Sequence, residues 1–495
     1  MDATSIFRKN KTISILLFFF LTIISNAQIG IGTVTPDASS ILDISSNTQG
    51  MLAPRMTTAQ RLAITAPAEG LLVYDTDLKS FYYYSATTWI SINNSATGRL
   101  NFKRIKSTDN LAVVLATELA AGGGAKYVLT SNTLYEINGT VIFNLPIDIN
   151  DAYIQGLDAN EDIIYKTSGI LFDGTKGGSI RSVSIITPGA TVFNLSAASA
   201  TSTLLIRDTI IANASNIGTV SGYGLVFMSI VNFSGNTNGI TYNNIGQLLL
   251  SNQAWFSNNS GTYEKFTGTF NLIEKQGGFS NVNTGAIGLD VSTTGLTITS
   301  DAVLESTVFT GPTPANYVKP YTTGSYTGYN FNNSWNVRSA GIPTETDANA
   351  TADFAMDYAV GSGLAVAFNN SNPSDIVKVG SGTPSTTYSN LFRFSTDSPN
   401  RLRYIGKKKR IFQISGSISF QVPAAGTYIV YIAKNGSVLS QYKIYGKGAS
   451  TNDIVVLPLI ASTEMLTNDY IEIYTQRYTG SNGNIVVPNM TITIK

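Results

Sequence analysis

Between residues 99 and 335 the apolar residues come in runs too short for helices. "LYEINGTVIFNL", "GILFDG", "TVFNLS", "TLLIRDTII" and "GLVFMSIVNFSG" each give three to six alternating apolar positions before Asn, Gly or Asp breaks them. Such runs recur every 8–12 residues or so, a spacing that suits short strands joined by tight turns. Asn and Gly tolerate the left-handed backbone that sharp corners require. The pattern predicts a right-handed parallel β-helix in which three runs make one coil of roughly 22–28 residues and Ile, Leu, Val and Phe stack inward. A sandwich or barrel is the competing arrangement. Only "STDNLAVVLATELAAGGG" (107–124) is helical in pattern, and it is placed to cap the first coil.

Composition narrows the chemistry. The 495 residues contain no Cys and no His. Disulfides, thiolate metal sites, cysteine nucleophiles, imidazole bases and Ser-His-Asp triads are therefore excluded. Charged residues make up 13 % of the chain and the formal charge is +1. That balance gives no long-range field for nucleic acid or acidic membranes. No cofactor and no metal site are expected.

The N-terminus reads as a secretory leader (1–27). "FRKNK" precedes the apolar run "TISILLFFFLTIIS", and Ser25 and Ala27 stand before Gln28. The apolar run is shorter than a bilayer span, so no membrane attachment is expected after cleavage. Next, "GIGTVT" has Thr35 where a G-x-G-x-x-G loop needs its third glycine, and Pro36 follows. A dinucleotide loop is thereby excluded. "GGGAK" (122–126) fails as a phosphate loop because Tyr127 follows the lysine.

Residues 28–98 form a small module: an extended run into Pro54, a helix capped by Thr57 or Thr58, and a hairpin over 69–92 with an aromatic second strand ending at Trp89. Residues 336–362 read as a linker. Residues 363–495 carry strands of five to nine alternating residues, with Asn435-Gly436 as a hairpin turn, and predict an antiparallel sandwich. The fold class is therefore all-β: a solenoid followed by a jelly-roll, with a small N-terminal module.

Resemblances cover most of this chain. Ile29–Thr33, Leu42-Asp43, Gln49–Thr57 and Gly70–Asp77 with Trp89 resemble a module at the head of secreted and phage-tail-associated proteins of the Bacteroidota. "LYEINGT", "NEDIIYKTSGILFDG" and "LLLSNQAWF" resemble the central region of phage tail-fibre and tailspike-like proteins. "NRLRYIGKKKRIFQISGSISF", "YIAKNG" and "LTNDYIEIYTQ" resemble phage-fibre jelly-roll heads, similar in plan to tumour-necrosis-factor and complement heads. The resemblance implies a homotrimeric, structural and adhesive protein whose head binds a surface glycan or host receptor. The leader implies a secreted or cell-surface location, or a virion fibre if the chain is phage-encoded.

Candidate contact residues are the cationic run Lys407, Lys408, Lys409 and Arg410, suited to an anionic glycan, and Tyr321, Tyr326 and Tyr329, whose rings suit sugar stacking. The alternative function is a polysaccharide depolymerase on the β-helix, which needs paired carboxylates. Asp148, Asp151, Asp158, Glu161, Asp162, Asp173, Asp208, Glu264 and Glu274 are its candidates.

Overall fold

The computed structural model describes residues 28–92, 101–369, 375–380 and 386–495, so the expected leader lies outside the described residues. The chain divides into two units, 1–100 and 101–495. In the first, Ile29–Ile31 pairs in parallel with Leu42–Ile44. Beyond it lies a four-stranded sheet. Its helix, Thr58–Leu62, starts at a capping box in which the Thr57 side chain and Gln60 satisfy each other's backbone N–H groups. Arg61 is buried from that helix against Asp75 at 3.0 Å and lies over the Tyr82 ring at 3.9 Å. The aromatic stretch is two strands rather than one, Ser80–Ser85 and Thr88–Ser91, because Ala86 takes a positive φ and reverses the chain.

The second unit begins with a parallel β-solenoid of about seven turns. Coil length is read from contacts between successive coils: Ala214 N–H meets Asn236 22 residues on, and Thr299 reaches back 29 residues to Phe270. One long sheet runs from Phe102–Lys106 to Trp335–Ala340, and a nine-stranded sheet runs from Tyr127–Val128 to Val318–Lys319.

Parallel in-register pairing makes each inward position a column along the solenoid axis. One column is Tyr127, Ile147, Phe172, Phe193, Gly218, Ile240, Glu264, Leu289 and Val318. The facing sheet supplies Tyr135, Ile154, Ile180, Ile206, Met228, Leu250, Lys275, Leu304 and Val337. Aromatic neighbours stack within the first column, as Phe172 and Phe193 do at 5.7 Å.

Corners repeat as strictly as cores. Asp208, Ile230, Asn252, Gly277 and Ser306 lie above one another, and all have positive φ. Each bends a long strand at the same level. Ile230 is the costly member, since a β-branched residue seldom adopts this conformation. A second corner is held by buried asparagines: Asn236 Oδ1 accepts from Ala214 N–H, and Asn259 Oδ1 accepts from Asn236 N–H.

The first coil is closed by two short helices, Leu111–Val114 and Ala116–Ala121. Leu111 and Leu115 enter the solenoid core. Glu118 is buried beneath them and accepts from Lys103 Nζ at 2.7 Å and Tyr135 O–H at 2.6 Å. Burial alone raises its carboxyl, but those donors outweigh it and hold it below the usual glutamate range.

Residues 336–362, expected as a linker, carry much of the last coil's strand Trp335–Ala340 and the strand Thr351–Asp357. The sandwich then packs a six-stranded sheet on a seven-stranded sheet, with every named strand pair antiparallel. Phe354, Ile418, Phe420, Tyr428, Ile473 and Ile492 fill the space between them. Asn435 and Gly436, both at positive φ, turn Gly426–Lys434 into Ser437–Val438.

Gly218 tests the column rule. Its φ is +103°, and an added Cβ would collide with the Phe193 carbonyl oxygen. Gly218→Ala should lower stability by about 1–3 kcal/mol in denaturant titration.

Candidate functional site

The sequence-derived contact residues gather where the last coil meets the sandwich. Tyr321 is buried, and its hydroxyl accepts from Trp335 Nε1 at 3.0 Å. Burial pushes that hydroxyl up to about 12. Tyr329 stacks on Phe392 at 4.1 Å, and Tyr326 meets the same ring edge-on at 5.2 Å while donating to Asn333 Oδ1. The three tyrosines thus spend their faces on packing within the chain.

The cationic run is tied to the same seam. Asp347 Oδ2 accepts from the backbone N–H groups of Lys407 and Lys408 at 2.8 and 2.7 Å. Lys407 Nζ reaches Asp301 at 2.7 Å, Arg410 donates to the Asp347 carbonyl at 2.6 Å, and Lys409 pairs with Glu464 at 3.1 Å. Lys408 lines a cleft of about 310 Å³ with Glu305, Arg338 and Asp347.

Arg393, 1 % exposed, crosses the seam. It donates to the Trp335 carbonyl at 2.6 Å and to Asn333 Oδ1 at 3.0 Å, and it faces Asp347 at 3.4 Å. Buried Glu345 completes the joint, accepting from Asn330 and Phe331 N–H groups at 2.7 and 2.9 Å. Burial raises its carboxyl to about 7, against the pull of those two donors.

A raised carboxyl keeps its proton in the folded chain at pH values where the unfolded chain has released it. Its contribution is therefore fully present below the ordinary glutamate range and is lost as pH rises through about 7. The melting temperature of the full chain should fall between about pH 5 and about pH 8, and Glu345→Gln should flatten that fall.

A different surface offers an open site. Asn132, Asp151, Tyr153, Ser179, Thr201, Thr203 and Leu205 line a depression of about 430 Å³ on the solenoid wall. Tyr153, Ser179 and Leu205 are consecutive members of one outward row. Tyr153 is 48 % exposed. Asp151 sits at a corner with positive φ, its Oδ1 accepting from Gly177 N–H. The floor therefore joins an aromatic ring and a leucine to a rim of hydroxyl, amide and carboxylate groups. Sequence reasoning marked Asp151 but missed the others. Their signal was recurrence at one-coil spacing, legible only once the register is known.

Of the nine candidate carboxylates, only Asp151 lines this depression. Asp148 pairs with Lys126 at 3.1 Å, Asp162 accepts three backbone N–H groups, and Asp173 accepts from Asn194. Asp158 caps its own turn through Asn160, and Asp208 occupies a corner beside Arg207. Glu161 and Glu274 are exposed, and Glu264 is wholly buried against Lys275. Among the described residues no helix is long and apolar enough to cross a membrane.

No curated protein matches the sequence. The solved structures that align with the chain include two with low TM-scores. The enzymatically active domain of tailspike protein 4 from bacteriophage CBA120 covers 90 % of this chain and 77 % of its own, at 9 % identity and a TM-score of 0.21. Murine APRIL covers 29 % of this chain and 98 % of its own, at 12 % identity and a TM-score of 0.19. With scores this low, the fold assignment rests on the strand register described above. In sequence, residues 30–108 match the family model of the phage tail like trimerisation region.

Proposed function

We propose that this chain is a trimeric protein of the tail-fibre or tailspike type that holds a surface glycan against its solenoid wall. The match of residues 30–108 to a trimerisation region carries the reading. The sandwich supports it independently. Its edge strand Ile454–Met465 turns Ile454, Val456, Pro458 and Ile460 outward. These residues leave an uncovered apolar stripe on the sheet face, which a second copy of the same chain would cover.

The depression at Tyr153 suits a sugar. A pyranose presents C–H groups on one face and hydroxyls around its rim, matching an aromatic floor edged by Asn132, Ser179 and Thr203. We place the contact here rather than on Lys407–Arg410, Tyr321, Tyr326 and Tyr329, because Lys407, Arg410 and the three tyrosines are bonded or packed at the seam and Lys409 is paired with Glu464. One carboxylate in the depression favours holding over cutting, since hydrolysis by the usual route uses two. Three copies multiply a weak sugar contact into useful avidity. Such a protein works at a cell surface, after secretion or as part of a virion.

Light scattering on residues 28–495 should give three times the monomer mass, and a monomer overturns the reading. Tyr153→Ala should weaken binding to the recognised polysaccharide about tenfold without changing the oligomer, measured on an array of bacterial surface glycans. Release of new reducing ends from that polysaccharide would favour the depolymerase instead.

A further inference from the structure

Two inward columns are interrupted by charge in the same coil. Glu264 occupies a position held by Ile240 one coil before and Leu289 one coil after. Lys275 replaces Leu250 and Leu304 in the facing column. Both side chains are at most 3 % exposed, and Lys275 Nζ lies 3.1 Å from the carboxylate. Apolar residues of similar size at such a place are usually as stable as the ion pair or more so, so burial alone does not account for the pair.

A third group stands beside them. Gln253, 1 % exposed, points its carboxamide inward from the preceding coil. Its Oε1 is 3.3 Å from Lys275 Nζ and accepts from the Tyr263 hydroxyl at 3.3 Å. Its Nε2 makes no close hydrogen bond, and the carboxamide lies toward the Tyr242 hydroxyl. The Lys275 ammonium can only donate, which fixes the carbonyl end of the amide beside it. Trp255, Tyr263 and Phe233 wall the group off from solvent, with Trp255 stacked on Tyr263 at 4.4 Å.

We propose that Lys275 and Gln253 react to form an intrachain amide that staples two successive coils, with Glu264 as the proton carrier. The ammonium first gives a proton to the Glu264 carboxylate. The freed amine lone pair then attacks Cδ of Gln253, and the Tyr263 hydroxyl supports the negative charge that develops on Oε1. Glu264 takes the second proton from the attacking nitrogen as it passes the first to Nε2. The Cδ–Nε2 bond breaks, neutral ammonia leaves, and the Nζ–Cδ amide remains. The balance is amine plus carboxamide to substituted amide plus ammonia, with no oxidant or co-reactant. Burial raises the Glu264 carboxyl, which favours the neutral amine–acid pair the attack requires. Fixed placement of nucleophile, electrophile and proton carrier within one folded core supplies the effective concentration that such a slow reaction needs.

Mass spectrometry of the full-length folded protein tests this directly. The folded chain should be lighter by one ammonia than its sequence requires. Trypsin should fail to cut after Lys275 and should yield a branched peptide joining Gln253 to Lys275. Glu264→Gln should restore the ammonia and the cleavage. An unmodified wild-type mass overturns the proposal whether or not the variant folds. Loss of one water instead, with the bond mapped to Glu264, overturns it equally.

Discussion

Everything in the solenoid follows from in-register stacking of parallel strands. Each residue must tolerate its counterparts in the coils before and after, so side chains are selected as columns rather than singly. Apolar columns bury themselves without help from disulfides. The same rule explains why a corner that needs positive φ at Asn252 also imposes it on Ile230, which would not choose it alone. It makes exceptions conspicuous as well: a glycine between Phe193 and Ile240 at Gly218, and Glu264 opposite Lys275 between aliphatic neighbours.

Local pattern was legible where local chemistry decides. The short alternating runs gave the all-β class, Thr57 or Thr58 gave the helix start, which the structure places at Thr57, and Asn435-Gly436 gave the turn. The helical character of 107–124 was also legible, although the structure breaks it at Leu115 into two short helices. What the sequence could not display was partnership at long range. Lys407–Arg410 reads as a cationic contact patch until Asp347 is seen some 60 residues away along the chain, accepting from its backbone. The stretch around Asp347 and Glu345 reads as linker because its polar residues look idle, whereas they bond across the seam. Tyr153 was hidden for a related reason, as its neighbours Ser179 and Leu205 come from two later coils.

The functional reading draws on the same physics. A wall of stacked strands presents outward rows at fixed spacing, and one row juxtaposes a tyrosine, a serine and a leucine beside a corner rich in amides and hydroxyls. In the proposed function such a surface would recognise shape and hydrogen-bonding pattern without a strong field, which suits a nearly neutral chain. The acids are largely committed to backbone capping and ion pairs, leaving Asp151 as the carboxylate of the depression.

The seam itself has a mechanical consequence. Arg393 grips the backbone of Trp335 in the final coil, and Asp347 grips the backbone of Lys407 and Lys408 in the sandwich. Tension applied to either part therefore loads these bonds together instead of stretching a slack tether. The joint resists bending at the place where a flexible connection would have absorbed the pull.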